Sequence, residues 1–299
     1  MRKNRLSGEK KPLTAAQMRK QRQQRMVWLR RGIQLLFFLL APSLFTGAFS
    51  GVKYLFTQIG RSQPFQLVSF VKTLLGLLLL TMLLGRWFCG WVCAFGSLGD
   101  WIQSLSQWIQ KKCKKKLPPM PDGAQQLLSR LPYCILTAIV ILCAAGVYGN
   151  LSGWSPWDVF SMVTSLSLRL SGYGLGLCLL VLILLGMAWV PRFFCRFLCP
   201  MGAVFRLLPV LPWSVLRRNL ESCLRGCSAC TRSCPMGLSL GEGQNAGDCI
   251  RCGKCTGICP KENLHSGLPW LDAHPEVSAL LGAAVFLIAA WCLGCLRFV

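Results

Sequence analysis

Eight cysteines fall between positions 223 and 260, where the chain reads CLRGCSACTRSCP and then CIRCGKCTGICP. The second string holds Cys249, Cys252, Cys255 and Cys259 followed by Pro260, a C-x2-C-x2-C-x3-C-P run of the kind that wraps a loop around a [4Fe–4S] cubane. The x2 spacings bring three thiolates to three iron corners, and the fourth, released by the following proline, points to a neighbouring cluster. In the first string Cys227, Cys230 and Cys234-Pro235 are in register, while Cys223 lies one residue further back than the pattern asks. One extra loop residue accommodates that shift. The crossed fourth cysteine then assigns Cys223, Cys227, Cys230 and Cys259 to one cluster, and Cys249, Cys252, Cys255 and Cys234 to the other. Structural zinc also uses Cys pairs at x2 spacing, but eight cysteines with two terminal Cys-Pro pairs favour the cubane.

A second set of thiols is built differently. GRWFCGWVCAFGSLGDW (85–101) laid over PRFFCRFLCPMGAVFRL (191–207) matches Arg86, Phe88, Cys89, Cys93 and Gly96 with Arg192, Phe194, Cys195, Cys199 and Gly202. Cysteines four apart lie one turn apart on one face of a helix end. Such a pair can bind a metal, cycle between dithiol and disulfide, or pack as small apolar residues. Cys89, Cys93, Cys195 and Cys199 are on this ground candidate redox residues. Pro200, directly after Cys199, is expected to end or kink the helix and expose that thiol, whereas Ala94 stands at the same place in the first string. Arg86 and Arg192 precede each pair, where a cation lowers a thiolate pKa and where a flank facing the cytoplasm also anchors a span. Cys113, Cys134, Cys143 and Cys178 have no such spacing and read as packing residues.

The elements that must hold these thiols are apolar. The 299-residue chain is 53% hydrophobic and 14% charged, with a mean hydropathy of +0.48, which places it in a membrane. Five segments, 33–49, 65–85, 132–149, 173–190 and 277–296, are apolar enough to cross a hydrocarbon core about 30 Å thick at roughly 20 residues each. Pro42 in the first is tolerated as a kink. The net charge of +23 lies in blocks beside these spans, with no nucleic-acid recognition motif around it, so the expected partner is lipid. Residues 1–31 alone carry eleven Lys/Arg against one Glu, with no apolar run or cleavage site of a signal peptide. Part of this tail, Thr14 to Arg31, is expected to form a basic helix on anionic lipid. Further blocks lie at Lys111 to Lys116 and between Arg192 and Lys261, while the other loops carry Lys53, Arg61 and Arg169. Positive charge inside then puts the N-terminus and the cysteine-rich segment in the cytoplasm and the C-terminus outside, with Trp154 and Trp157 in the outer interfacial belt. Cluster thiols also need a reducing compartment.

Taken together, the two C-x3-C strings at helix ends and the eight-cysteine run resemble the NapH-type membrane ferredoxins, quinol-dehydrogenase components associated with periplasmic nitrate reduction. The resemblance covers about residues 33–260, departing at Ala94, at Cys223 and in the apolar span after the cysteine-rich run. It implies that the helices dock quinol. It also implies electron-carrying roles for Cys89, Cys93, Cys195 and Cys199 and for the eight cysteines of the run.

The fold expected is an all-α integral membrane protein. Duplicated two-helix units, both ending on the cytoplasmic side and related by an axis along the membrane normal, form a four-helix core. A cytoplasmic ferredoxin-like segment with two [4Fe–4S] clusters follows, and then a fifth transmembrane helix. The boundaries are 1–31 for a basic tail, 32–110 for the first unit, 111–131 for a basic linker, 132–216 for the second unit, 217–265 for the ferredoxin-like domain and 277–296 for the last helix.

The function expected is that of a multi-pass protein of the bacterial cytoplasmic membrane. It would pass electrons between the quinone pool, with quinol as substrate, and a protein donor or acceptor of a respiratory reductase system. The alternative is a thiol-dependent copper-reducing or metalloenzyme assembly factor, against which stands the lack of the soft thioether motifs of a Cu(I) carrier. Covalent haem has no C-x-x-C-H, and His265 and His274 offer no ligand pair within the spans. Lys72, inside the second span, reads as a snorkelling or functional charge. Cys292 and Cys295 read as a candidate disulfide outside.

Overall fold

A computed structural model describes residues 14–115, 117–164, 172–219, 221–224, 226–238 and 246–296. The first thirteen residues of the basic tail, Lys116 and Arg169 lie outside the described residues.

The chain enters through α1 (Ala15–Leu40), whose start is a capping box. Gln17 N donates to Thr14 Oγ1 at 3.4 Å and Thr14 N donates to Gln17 Oε1 at 2.9 Å. A helix does form over the basic tail, and it runs without interruption into the apolar segment. It stops before Pro42, which lacks an N–H and pushes the preceding Ala41 out of helical geometry (φ −140°, ψ 53°). α2 (Leu44–Gly60) resumes at an angle of 58°. The single kinked span expected over 33–49 is therefore two helices meeting at Pro42.

α3 (Ser69–Leu84) packs along α2, and Gly51 sits so close to the Phe70 carbonyl that a Cβ would not fit. α3 ends at Gly85, whose φ of +66° suits glycine. Next come the short α4 (Trp87–Trp91), α5 (Ala94–Lys112) and α6 (Asp122–Ala144). A 3-10 turn leads to α7 (Pro156–Thr164), followed by α8 (Gly174–Trp189), α9 (Phe193–Phe197) and α10 (Pro200–Leu207). The cysteine-rich segment holds β1 (Arg217–Arg218), α11 (Ala229–Ser233), α12 (Lys254–Ile258) and β2 (Leu264–His265). β1 and β2 pair antiparallel, Arg217 opposite His265, and close the segment at its base. α13 (Pro269–Ala273) turns the chain into α14 (Pro275–Cys292).

Among the described residues α6 and α14 are long and apolar enough to cross a membrane, and the bent α1–α2 pair is a third span if it counts as one. α3 and α8 are apolar but only 16 residues long, short of about 20. Outward faces such as Leu79, Leu182, Leu185 and Ile288 are more than half exposed, the surface of a protein solvated by lipid. Inside, one continuous apolar core joins the helices. At its centre Phe95 stacks on Phe194 at 4.4 Å between ring centroids, and Phe45 meets Phe95 edge-on at 5.3 Å.

Lys72 lies exposed in the first turn of α3, the geometry of a snorkelling lysine. Cys292 and Cys295 are both free, and the Cys295 thiol lies 3.3 Å from Thr73 Oγ1. Of the four cysteines read as packing residues, Cys143 is buried while Cys113, Cys134 and Cys178 face outward.

Candidate iron–sulfur site

The eight cysteines of the run separate into two groups in space. Cys223, Cys227, Cys230 and Cys259 line one small cavity of about 20 Å³ together with Arg218, Asn263 and Leu264. Arg218 Nη2 donates to Cys223 Sγ at 2.7 Å, and Asn263 N donates to Cys259 Sγ at 3.4 Å. Cys234, Cys249, Cys252 and Cys255 form the second group, each in electrostatic contact with others of the set. The crossing is produced locally. Cys234 and Cys259 each terminate a five-residue helix in extended backbone (ψ 116° and 118°), the conformation that a following proline imposes, and the chain swings each thiol away from its own helix. Burial pushes the Cys249 thiol up to about 11, the cost of ionising sulfur away from water. A coordinating metal removes that cost by binding the thiolate.

The two C-x3-C pairs do not lie on single helices. Cys89 belongs to α4 and Cys93 is the N-cap of α5; Cys195 belongs to α9 and Cys199 is the N-cap of α10. The backbones follow the same path: Cys93 N donates to Phe88 O and Cys199 N to Phe194 O, both at 2.9 Å. Pro200 therefore starts a helix at its first position, where its missing N–H costs nothing, and leaves Cys199 buried rather than exposed. Ala94 serves the same place in α5, so the Pro/Ala difference leaves the geometry unchanged. All four thiols are 5–6% exposed and interact electrostatically with one another.

The arginines ahead of each pair reach across to the other. Arg192 Nη1 donates to Cys89 O at 2.6 Å, and its Nε and Nη2 grip Asp100 at 3.0 and 2.5 Å. Arg30 of α1 donates to the same carboxylate at 2.5 Å, and Gln34 at 2.8 Å. In the aligned strings Asp100 corresponds to Arg206, so the second string has no carboxylate of its own. Asp248, directly before Cys249, supplies it, taking Arg86 Nη1 at 3.3 Å and pairing with Arg206. Asp100, Gln34, Arg30, Arg206 and Asp248 were missed by the motif reading. The unbalanced pairing of Asp100 with Arg206 in the aligned strings was the signal available.

The cysteine-rich segment sits directly on this end of the bundle. Trp91 Nε1 donates to Arg251 O at 3.0 Å, and Gly90 approaches the Ile250 carbonyl too closely for any side chain. On the other flank Arg19 donates to Pro260 O at 2.9 Å and Arg22 to Ala273 O at 2.8 Å, so the basic helix packs on the segment. Between them opens a cavity of about 940 Å³, lined by Trp91, Trp101, Asp100, Cys252, Lys254 and His265 among others.

A family model described as a 4Fe-4S binding domain matches residues 68–116 and 171–220. The chain is similar to the uncharacterized protein MJ0750 of Methanocaldococcus jannaschii, 30% identical over 197 residues, which cover 65% of this chain and 77% of that one. It is 28% identical over 223 residues to the putative electron transport protein YccM of Escherichia coli, covering 72% of this chain and 60% of that one. To the ferredoxin-type protein NapH of Escherichia coli it is 25% identical over 191 residues, 59% of this chain and 60% of that one. The chain thus spans less than two thirds of the length of each Escherichia coli protein. No solved structure matches.

Proposed function

The chain belongs to the NapH-type family of ferredoxin-type, iron–sulfur membrane proteins, and from that premise we propose that it oxidises quinol and passes the electrons to a respiratory reductase system. In this reading residues 32–110 and 132–216 are two copies of one membrane unit, and 217–265 is a two-cluster domain on the cytoplasmic side of a bacterial inner membrane. Cys223, Cys227, Cys230 and Cys259 would hold one [4Fe–4S] cluster and Cys249, Cys252, Cys255 and Cys234 the other. The donor sets fit: each is four thiols, and N–H donors reach Cys223 and Cys259. Bound there, the clusters supply one-electron transfer at potentials set partly by hydrogen bonds to sulfur.

The observation that carries the quinol reading is the cavity between the basic helix, α5 and the cysteine-rich segment. Its volume suits a small aromatic ligand, and Cys234 and Cys252 line it together with Trp87, Trp91 and Trp101. Oxidation of a quinol releases two electrons and two protons. His265, Glu262 and Asp272 line the same cavity and give the protons acceptors on the way to water. Arginines of α1 lie at this end of the bundle, as expected of a face held in the cytoplasm against anionic lipid.

The test is anaerobic mixing of the purified protein with a water-soluble quinol analogue, followed by visible bleaching and EPR. Reduction of iron–sulfur signals on the timescale of turnover is expected. Protein that contains the clusters but takes no electrons from any quinol, while dithionite reduces it fully, would leave it an electron carrier of another kind.

A further inference from the structure

Each match to the 4Fe-4S domain contains one C-x3-C pair, Cys89 with Cys93 and Cys195 with Cys199, which is half of what a cubane requires. The fold brings the halves into one buried group. We propose that these four thiolates together hold a third [4Fe–4S] cluster, at the junction of the two membrane units.

Charge is the first support. Arg86 and Arg192 are 1–2% exposed and are the largest fully buried side chains among the described residues. Arg192 shares Asp100 with Arg30, and Arg86 shares Asp248 with Arg206, so among the described residues each pair of guanidiniums keeps one positive charge that no carboxylate balances. Four neutral thiols would leave both charges buried and uncompensated, an expensive arrangement. An oxidised [4Fe–4S] core bound by four thiolates carries two negative charges, opposite in sign to these buried cations.

Hydrogen bonding is the second. Among the described residues Arg86 Nε and Nη2 are fully buried with no oxygen or nitrogen acceptor in reach; the side-chain neighbour the guanidinium hydrogen-bonds is the Cys89 sulfur, and it interacts electrostatically with Cys195 and Cys199 as well. Buried guanidinium donors are rarely left unused, and cluster sulfides and thiolates are acceptors for them. Gly202 keeps this space clear, since a Cβ there would meet Arg86 Nη2 at 3.3 Å and Cys199 Cβ at 3.4 Å. Gly202 N also donates to Cys199 Sγ at 3.2 Å, and Gly96 N makes the equivalent bond to Cys93.

Four thiols are also the donor set of a tetrahedral zinc ion, and metal analysis of the purified chain separates the two. Among the described residues no three Cys, His, Asp or Glu side chains close on one ion, and this is equally true of the eight cysteines of the run. The third site also adjoins the second cluster's loop, because Ile250 and Arg251 rest on Gly90 and Trp91 of the Cys89 helix.

The inference builds on the iron–sulfur electron-transfer reading but is tested without turnover. The full chain, purified anaerobically in detergent, is analysed for iron, acid-labile sulfide and zinc. About twelve iron and twelve sulfide per chain are expected, and about eight of each in Cys195→Ser with the EPR signals of the other clusters retained. About eight in the wild type, or one zinc held by the membrane thiols, would overturn the third cluster and leave quinol oxidation standing. The wild-type count decides even where Cys195→Ser fails to fold. Arg86→Gln gives a second reading: a changed g-tensor or midpoint potential in one of three clusters is expected, and three unaltered signals would remove Arg86 from the site.

Discussion

The two thiol regions of this protein are assembled in opposite ways. The cysteine-rich segment gathers its eight thiols from one stretch of chain, with two five-residue helices and two Cys-Pro ends doing the positioning. The membrane thiols come from strings about a hundred positions apart, held by arginines that reach across from one string to the other. Local spacing suffices for the first site. For the second, long-range charge pairing and close packing do what spacing cannot, and that region should be the more sensitive to changes away from its cysteines.

The largest effect that would sharpen this contrast is at Cys255. Replacing it by Ser should abolish the second cluster and cut quinol-dependent reduction more than 100-fold, while helix content in circular dichroism stays unchanged. In the membrane region a carboxylate that touches no sulfur should matter almost as much. Asp100→Asn removes the charge shared by Arg30 and Arg192 and leaves two buried guanidiniums, a loss of about 3–5 kcal/mol for a broken buried pair. Thermal unfolding in detergent would show it, and a midpoint within a degree or two of wild type would break the comparison.

A smaller effect is expected from Gly96→Ala. The new methyl would meet Arg192 Nη1 and the Cys89 carbonyl, an overpacking cost of about 1–3 kcal/mol. Cys259→Ser should damage the cluster of the first motif and spare that of the second, a selective change in EPR. Loss of the second with the first intact would reverse the crossed assignment. Smallest of all is Arg19→Ala at the exposed contact with Pro260, worth less than about 1 kcal/mol and sensitive to salt.

This difference also explains what could be read in the sequence. The apolar segments and the matched strings are local patterns that reappear as helices in the structure, the first segment divided between two of them. Pro42 announced a kink but not its size, because the angle is set by what α1 and α2 pack against. Cys93 and Cys199 read as helix-face residues, since a spacing of four fits one helix as well as the end of one and the cap of the next. The Asp100–Arg192 and Asp248–Arg86 pairs span 92 and 162 positions and leave no periodic trace. Their only mark in the sequence is that an acid in one string faces a base in the other.

Whether both thiol regions lie on one electron path is tested most directly by the quadruple variant Cys89→Ser/Cys93→Ser/Cys195→Ser/Cys199→Ser. Its EPR spectrum is recorded after anaerobic addition of a quinol analogue and again after dithionite. On a shared path, dithionite is expected still to reduce the clusters of the cysteine-rich segment, and quinol no longer to do so. Reduction by quinol at the wild-type rate and extent would contradict it, and would leave the cysteine-rich segment as the whole redox machinery of the protein.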